Sequence, residues 1–375
     1  MNMDLHDIRK EINGIDGQLQ SLFLRRMELC RQVAAYKKEK GLPILQPDRE
    51  QEVIRRIRES SPEGMVDASE IFFTEIMDIS KCLQSEELTA EKVYPKPELF
   101  EPEKAQVIAC QGSSGAYAES ACIRLFGENK PIRFMNFFKD VVGLVESGRA
   151  DFGILPLENS TVGSVEETYN LMSSHDFYIN SIVRVEITHC FAVKPGVDPA
   201  GVTRVYSKKE ALSQCQSFLR RANLTGMEYS NTALAAEMVR DSTDPSIGCI
   251  CSKRCAQMNG LTVVEEHAAD VYPNFTRFIC FSKNFLAPAD ADTVSVAFRV
   301  PHTPGGLYRT LTKFAVNGMN LKKIANRTLA GQDFEALLFL DFEGSCRNRK
   351  VSAFLDDLRG SMSYFKFLGN FCTRD

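Results

Sequence analysis

The sequence predicts three segments of different class: an all-α segment, an α/β segment with largely parallel sheets, and a small α+β segment. Three observations carry this. An apolar stripe with helical spacing runs through the first forty residues. From Val107 onward short apolar runs alternate with amphipathic stretches, and after Asp290 and Asp292 the pattern becomes β-α-β-β-α-β. At about 150 residues per domain, a chain of 375 residues has room for two or three.

In the first segment Leu5, Ile8, Ile12, Ile15, Leu19, Leu22, Leu29, Val33 and Tyr36 recur at spacings of three and four, with one gap at position 26. This spacing predicts one helix from about residue 4 to 40, stopped by Gly41 and Pro43. A second helix follows Pro47 and a third covers about Ala68 to Ser85, so the segment runs from 1 to 88. A first helix this long outruns a small monomeric globule and implies helix-to-helix dimerisation. Residues 89–105 (TAEKVYPKPELFEPEKA) are charged, proline-punctuated and aperiodic, which reads as a linker.

The middle segment, 106–285, offers strands at Val107–Cys110, Ile132–Phe134, Phe152–Leu157, Ile187–Val193, Val205–Ser207, Ile247–Ile250 and Arg277–Phe281. The last segment, 292–375, has strands at Thr293–Arg299, Leu321–Arg327, Glu335–Phe342 and Ser363–Phe371, with helices at Leu307–Val316 and Lys350–Leu358; that order is ferredoxin-like.

A net charge of −4 argues against general affinity for nucleic acid or an anionic membrane, so cations for an anionic substrate must be placed locally. No signal-peptide core opens the chain and no run reaches the roughly 18 apolar residues of a membrane span, so a cytoplasmic protein without a membrane partner is expected. The twelve cysteines then read as free thiols. Cys249, Cys251 and Cys255 lack a fourth ligand and read as buried cysteines beside a strand rather than a metal site.

The gap in the stripe is Arg26. A guanidinium on a helix seam needs an anionic partner. Lys37 lies eleven residues on, on the same face and about 16 Å away, so both side chains can meet one small ligand. An interhelical salt bridge from Arg26 to Asp16 or Glu28 is an equal alternative. Arg9 is about 25 Å from Arg26 along the helix and reaches that site only from an antiparallel partner. Arg49 and Glu50 open the second helix, and Ser80 and Gln84 share a face of the third.

The spacing Arg9…Arg26…Lys37…Arg49-Glu50…Ser80…Gln84 resembles the all-helical chorismate mutase domain, an intertwined dimer. The resemblance implies that Arg9 from the partner, Arg26 and Arg49 anchor the carboxylates of chorismate. Lys37 and Gln84 would hydrogen-bond its ether oxygen, and Glu50 and Ser80 would complete the pocket. Gln46 stands where many relatives carry Asp, which implies a weaker contact to the substrate hydroxyl.

Three polar loops mark the middle segment: Gly112-Ser113-Ser114-Gly115-Ala116-Tyr117, Leu157–Ser164, and Asn274-Phe275-Thr276-Arg277-Phe278. Each alone reads as loop capping; together they suggest one cleft. With Pro156-Leu157-Glu158-Asn159-Ser160 and Thr188-His189-Cys190 they resemble prephenate dehydratase, whose fold is two lobes like a periplasmic binding protein. The resemblance implies a central catalytic Thr276. In our reading it gives a positioned hydrogen bond to the leaving hydroxyl of prephenate. Glu158 is the candidate carboxyl of raised pKa, Ser113, Asn159, Ser160 and Arg277 bind carboxylate or shape the pocket, and His189 reads as structural. Ala116 and Ala118 replace hydroxyl residues frequent in relatives.

In the last segment Pro304-Gly305-Gly306-Leu307-Tyr308 and Asn317-Gly318-Met319-Asn320-Leu321 resemble the phenylalanine-binding elements of the ACT regulatory domain. Gly305, Gly306, Leu307 and Asn320 are the implied effector contacts. Where relatives read Glu-Ser-Arg-Pro, this chain has Ala325-Asn326-Arg327-Thr328, so weakened feedback is expected. The whole resembles the bifunctional chorismate mutase/prephenate dehydratases: no cofactor, a homodimer or larger homo-oligomer, and phenylpyruvate as product. A binding protein with dead catalytic domains and an arogenate dehydratase are the alternatives.

Overall fold

The computed structural model describes residues 4–42, 47–88, 96–303, 305–328 and 336–374. Gln46, Pro43, Pro304 and Glu335, named above, lie outside the described residues. The chain divides into two compact units, one formed by the residues up to Lys96 with Val296–Lys366, the other by Pro97–Ser295 with Phe367–Asp375.

Three helices open the first unit: α1 (Leu5–Lys40), α2 (Pro47–Ser60) and α3 (Val66–Leu88). Gly41 ends α1 in the left-handed region (φ 65°), and Leu42 N–H donates to the Lys37 carbonyl at 2.9 Å. A glycine takes that conformation without steric cost. Helix α1 packs on α3 and buries Met27, Ala34 and Lys37. The nine-residue stripe lies elsewhere on α1, exposed from 40% at Ile8 to 63% at Leu22. So the period that defines the helix marks a face that nothing among the described residues covers.

The second unit has two sheets. The first lobe holds β1 (Ile108–Gln111), β2 (Ile132–Met135), β3 (Phe152–Asn159) and β4 (Tyr178–Glu186), with α4 (Tyr117–Phe126), α5 (Phe138–Glu146) and α6 (Glu166–Ser174) between them. The chain then passes to β5 (Cys190–Val193), β6 (Arg204–Ser207), β7 (Thr225–Glu228), β8 (Ile247–Cys251) and β9 (Thr262–Glu265). Between them lie α7 (Lys209–Ser213), α8 (Gln216–Arg221), α9 (Thr232–Asp241) and α10 (Lys253–Met258), and the chain returns as β10 (Phe275–Ser282). The orders are β4-β10-β3-β1-β2 and β9-β5-β8-β6-β7.

Both sheets are mixed, against the largely parallel arrangement expected. Strands β1–β2, β1–β3, β6–β7 and β6–β8 pair parallel, whereas β10 runs antiparallel to β3 and β4, and β5 antiparallel to β8 and β9. The antiparallel members are the strands through which the chain leaves and re-enters each lobe. The expected single strand Ile187–Val193 is broken at 187–189, the first crossing between lobes. The second crossing ends at Asn274, whose carbonyl accepts from Ile187 N–H at 2.8 Å.

The expected linker is shorter than 89–105. Glu98–Leu99 pairs parallel with Leu286–Ala287, and Phe100 and Ala105 are buried in the first-lobe core with Ile108 and Phe152. One apolar anchor outweighs the charged, proline-rich composition around it. Cys249, Cys251 and Cys255 are buried in the second-lobe core, and among the described residues no group of side chains suits a metal ion.

The last segment has β11 (Thr293–Arg299), α11 (Gly306–Val316), β12 (Leu321–Thr328), β13 (Ala336–Glu343), α12 (Arg349–Ser361) and β14 (Phe365–Phe371), with sheet order β12-β13-β11-β14. Phe314 is nearly fully buried, and its ring lies 5.4 Å from Phe342 and 4.8 Å from Phe354. Helices α11 and α12 also pack on α3 of the same unit. Among the described residues no helix is long and apolar enough to cross a membrane.

Candidate active sites

In the helical unit, Arg26 donates to the Ile76 carbonyl at 3.3 Å and to Cys30 Sγ at 3.9 Å, tying α1 to α3. Glu28, one of the two alternative partners, sits 3.8 Å from Arg31. Lys37 is 6% exposed. Burial holds its pKa below the usual lysine value, and Glu50 and Cys30 partly offset that by favouring the charged form. Glu50 takes a hydrogen bond from Lys81 at 3.1 Å, and Lys81 also pairs with Asp78 at 2.6 Å. The sequence reading missed Lys81 and Asp78, which have no signal beyond their i, i+3 spacing.

Ser80 is buried and bonds back to the Met77 carbonyl at 2.8 Å, a bond its hydroxyl makes within its own helix. Gln84 is buried and its Oε1 has no partner. An amide turns by 180° at little cost, so this position offers a ligand either an acceptor or an N–H donor. Arg49 lies along α2 and pairs with Glu52 at 2.6 Å, and Arg9 is exposed on α1. One buried lysine, the half-buried Arg26 and Lys81, an orphaned amide and an exposed apolar stripe together describe a half-built pocket.

In the second unit, a cavity of about 360 Å³ is lined by Gln111, Gly112, Ala116, Tyr117 and Ala118 from the first loop, by Asn159 and Val162–Val165 from the second, and by Thr276 and Phe278 of β10. His189, Lys208, Glu210, Gln214, Asn231 and Thr232 enter from the crossing and the second lobe, and Phe138, Pro156 and Ile187 supply apolar wall. The three polar loops thus line one cavity.

Its polar floor is a closed ring of hydrogen bonds. Asn159 Nδ2 donates to Asn274 Oδ1 at 2.7 Å and Asn274 Nδ2 to Gln214 Oε1 at 3.2 Å. Gln214 Nε2 donates to Thr161 Oγ1 at 3.3 Å, and Thr161 Oγ1 returns to Asn159 Oδ1 at 2.6 Å. The backbone N–H groups of Thr161 and Val162 also donate to Asn159 Oδ1, both at 3.0 Å. Those donors fix which amide atom faces which way. Asn159 Nδ2 therefore points at Thr276 Oγ1, 2.9 Å away. With a donor on its oxygen, the Thr276 hydroxyl keeps its own proton for a ligand.

His189 is 3% exposed, and burial holds its pKa below the ordinary value. Its Nε2 lies 2.9 Å from Gln214 Oε1, so it orients the ring of amides as a neutral donor. Tyr117 Oη donates to the Thr188 carbonyl at 2.8 Å. Gln214 and the ring role of Asn274 escaped the sequence reading, because Gln214 lies between two short helices with no motif around it.

Several expected contacts fall elsewhere. Glu158 and Arg277 face each other across β3 and β10 one residue along from Asn159 and Thr276, hence on the opposite face, and pair at 2.9 Å. Neither lines the cavity. Ser160 Oγ accepts from Phe275 N–H at 2.9 Å and donates to Asn274 Oδ1 at 3.3 Å, which makes it a loop tie. The first loop's anion is internal: Glu119 accepts from Ser114 Oγ at 3.0 Å and from Gly115 N–H at 2.7 Å. Ser113 Oγ is buried without a partner and does not line the cavity.

In the last segment Gly305 precedes α11 in the left-handed region (φ 73°), and a Cβ on Gly306 would lie 2.2 Å from the Pro301 carbonyl oxygen. Leu307, Tyr308 and Asn320 are exposed there. Arg327 Nη1 donates to the Asn326 carbonyl at 2.9 Å.

Residues 8–85 match the type II chorismate mutase family and residues 108–285 the prephenate dehydratase family. The bifunctional chorismate mutase/prephenate dehydratase of Aquifex aeolicus is 30% identical over 98% of both chains. A prephenate dehydratase of Arthrobacter aurescens, solved with L-Phe, has a TM-score of 0.65 and 26% identity over 71% of this chain and 89% of its own. A structure described as GqqA, a novel type of quorum quenching acylase, has a TM-score of 0.64 and 26% identity over 72% of this chain and 98% of its own. Two family matches in series, and a relative aligned from end to end, make the chain a member of the bifunctional chorismate mutase/prephenate dehydratase family, which rearranges chorismate to prephenate and converts prephenate to phenylpyruvate.

Proposed function

We propose that α1–α3 form the mutase, that Pro97 to about 285 form the dehydratase, and that 292–375 form an ACT sensor for phenylalanine. The mutase is a dimer in this reading, because the α1 stripe is uncovered in one chain and Arg9 is too far along the helix from Lys37. The partner subunit's Arg9, with Arg26 and Arg49, holds the two carboxylates of chorismate in a compact conformer, Arg49 turning from Glu52 to do so. Lys37 and Gln84 donate to the ether oxygen as its bond to carbon breaks, with Glu50 and Ser80 around them. A Claisen rearrangement needs no nucleophile or base, only this orientation and charge stabilisation.

In the dehydratase, the apolar wall of Phe138, Ile187 and Phe278 takes the ring. Thr276 Oγ1 accepts from Asn159 and gives its own hydrogen bond to the departing ring hydroxyl. The electron pair of the breaking C–CO₂ bond passes through the ring to expel that hydroxyl as hydroxide, which takes a proton from solvent to become water, and aromatisation drives the step. The ring of Asn159, Asn274, Gln214 and Thr161 holds Thr276 so that no reorientation is needed in the transition state. This directed ring is the observation on which the reading rests.

Phenylalanine is proposed as effector at Gly305, Gly306, Leu307 and Asn320, on the strength of the L-Phe-bound relative. Among the described residues the cysteines form no disulfide, which suits a reducing cytoplasm. The test is phenylpyruvate formation from chorismate by the purified chain, with and without phenylalanine. Chorismate consumed without phenylpyruvate, or not consumed, would overturn it.

A further inference from the structure

The dehydratase substrate carries two carboxylates, and among the described residues the cavity lining holds one cation for them. Of the residues lining it, Lys208 is the only lysine or arginine and Glu210 the only acid, while His189 is held neutral by burial. Lys208 stands at the end of β6, on the lobe opposite Thr276. Its Nζ lies 3.5 Å from Glu210 Oε2, and the two side chains are 53% and 51% exposed. An ion pair that exposed and that loose contributes little, so an incoming carboxylate displaces Glu210 at small cost.

The chemistry decides which carboxylate Lys208 takes. The ring carboxylate leaves as CO₂, and its negative charge must flow into the ring. A cation on it would stabilise the ground state more than the transition state and slow the reaction. The pyruvyl carboxylate keeps its charge from substrate to product, so a cation there adds binding in all states. We propose that Lys208 is the anchor of the pyruvyl carboxylate, reaching it from the second lobe while Thr276 addresses the ring hydroxyl from the first. This rests on the reading of the cavity as the dehydratase site.

The experiment is steady-state dehydration of added prephenate by Lys208→Met and Lys208→Arg, with phenylpyruvate as product inhibitor and mutase activity as the control for folding. For Lys208→Met, KM rises about ten- to a hundredfold, the span of one lost charged hydrogen bond. The inhibition constant of phenylpyruvate, which keeps that carboxylate, rises by the same factor, and kcat changes far less. Lys208→Arg restores most of both constants. Unchanged KM and inhibition constant would overturn the assignment, as would a fall in kcat alone, which would put Lys208 on the leaving group. Thr276→Ala with wild-type kcat, beside Lys208→Met with both constants raised, would fail the catalytic reading of Thr276 and uphold Lys208 as the anchor.

Discussion

Asn159→Asp keeps the shape of the side chain and inverts its hydrogen bonding. Nδ2 donates to Asn274 Oδ1 at 2.7 Å, Phe275 O at 3.2 Å and Thr276 Oγ1 at 2.9 Å. A carboxylate oxygen in its place faces two acceptors it cannot satisfy and turns the Thr276 hydroxyl toward itself. At about 0.5–1.5 kcal/mol for each of the two lost bonds, the folded state loses roughly 1–3 kcal/mol. The Thr276 proton, now engaged, no longer reaches the leaving hydroxyl; loss of one preorganised donor costs about a hundred- to a thousandfold in kcat. The assay is initial-rate phenylpyruvate formation from prephenate, with mutase rate and a thermal melt reporting folding. Because Asn159 acts through Thr276, the substitution should cost far less kcat in a Thr276→Ala background. A folded Asn159→Asp protein within about threefold of wild-type kcat, against the expected loss, or a double variant in which the two losses multiply, would refute the reasoning.

Mixing Arg9→Ala and Lys37→Ala proteins, each nearly inactive as mutase, should restore partial activity on refolding together; proven heterodimers without recovery would end the shared-site geometry. Lys37 must carry its proton to donate, and burial lowers its pKa from 10.5, so mutase activity should fall with rising pH before an ordinary lysine titrates. Glu50→Gln removes a contribution that raises that pKa and should move the alkaline limb to lower pH; a limb that stays or rises would contradict the assignment. Phenylalanine should bind more weakly than in relatives with the Glu-Ser-Arg-Pro run, by about ten- to a hundredfold for one charged partner. Calorimetry should then show Ala325→Glu tightening the response; near-complete inhibition at low micromolar phenylalanine would show that the missing run does not matter.

Much of this architecture was legible because local periodicity carried it. The spacing from Leu5 to Tyr36 marked α1, and Gly41 its end. The exposure of that stripe was implied only through length, since a sequence period shows that a face is apolar and not what covers it. Strand β4 (Tyr178–Glu186) is not among the strands the sequence offers, and the apolar run Ile187–Val193 is not one strand, since its first three residues form a crossing. Strand β7 (Thr225–Glu228) is exposed along its length and gave no alternation to read.

The site divides in the same way. Thr276 and Asn159 sat in motifs, but so did Arg277 and Glu158, and only the pairing of β3 with β10 separates the two faces. Gln214 reaches Thr161 and Asn274 across long stretches of sequence, so its role is a product of topology. The glycine loop's Ser114 hydroxyl and Gly115 N–H go to the Glu119 carboxylate, a partner that loop composition does not reveal.

In the reading proposed above, one chain performs two reactions at two separate sites, with Thr276 decisive only in the second. The most direct test is a progress curve of Thr276→Ala supplied with chorismate alone. Chorismate should disappear at the wild-type rate while prephenate accumulates in matching amount, with phenylpyruvate almost absent. Phenylpyruvate at the wild-type rate, or loss of chorismate consumption in a folded protein, would contradict it.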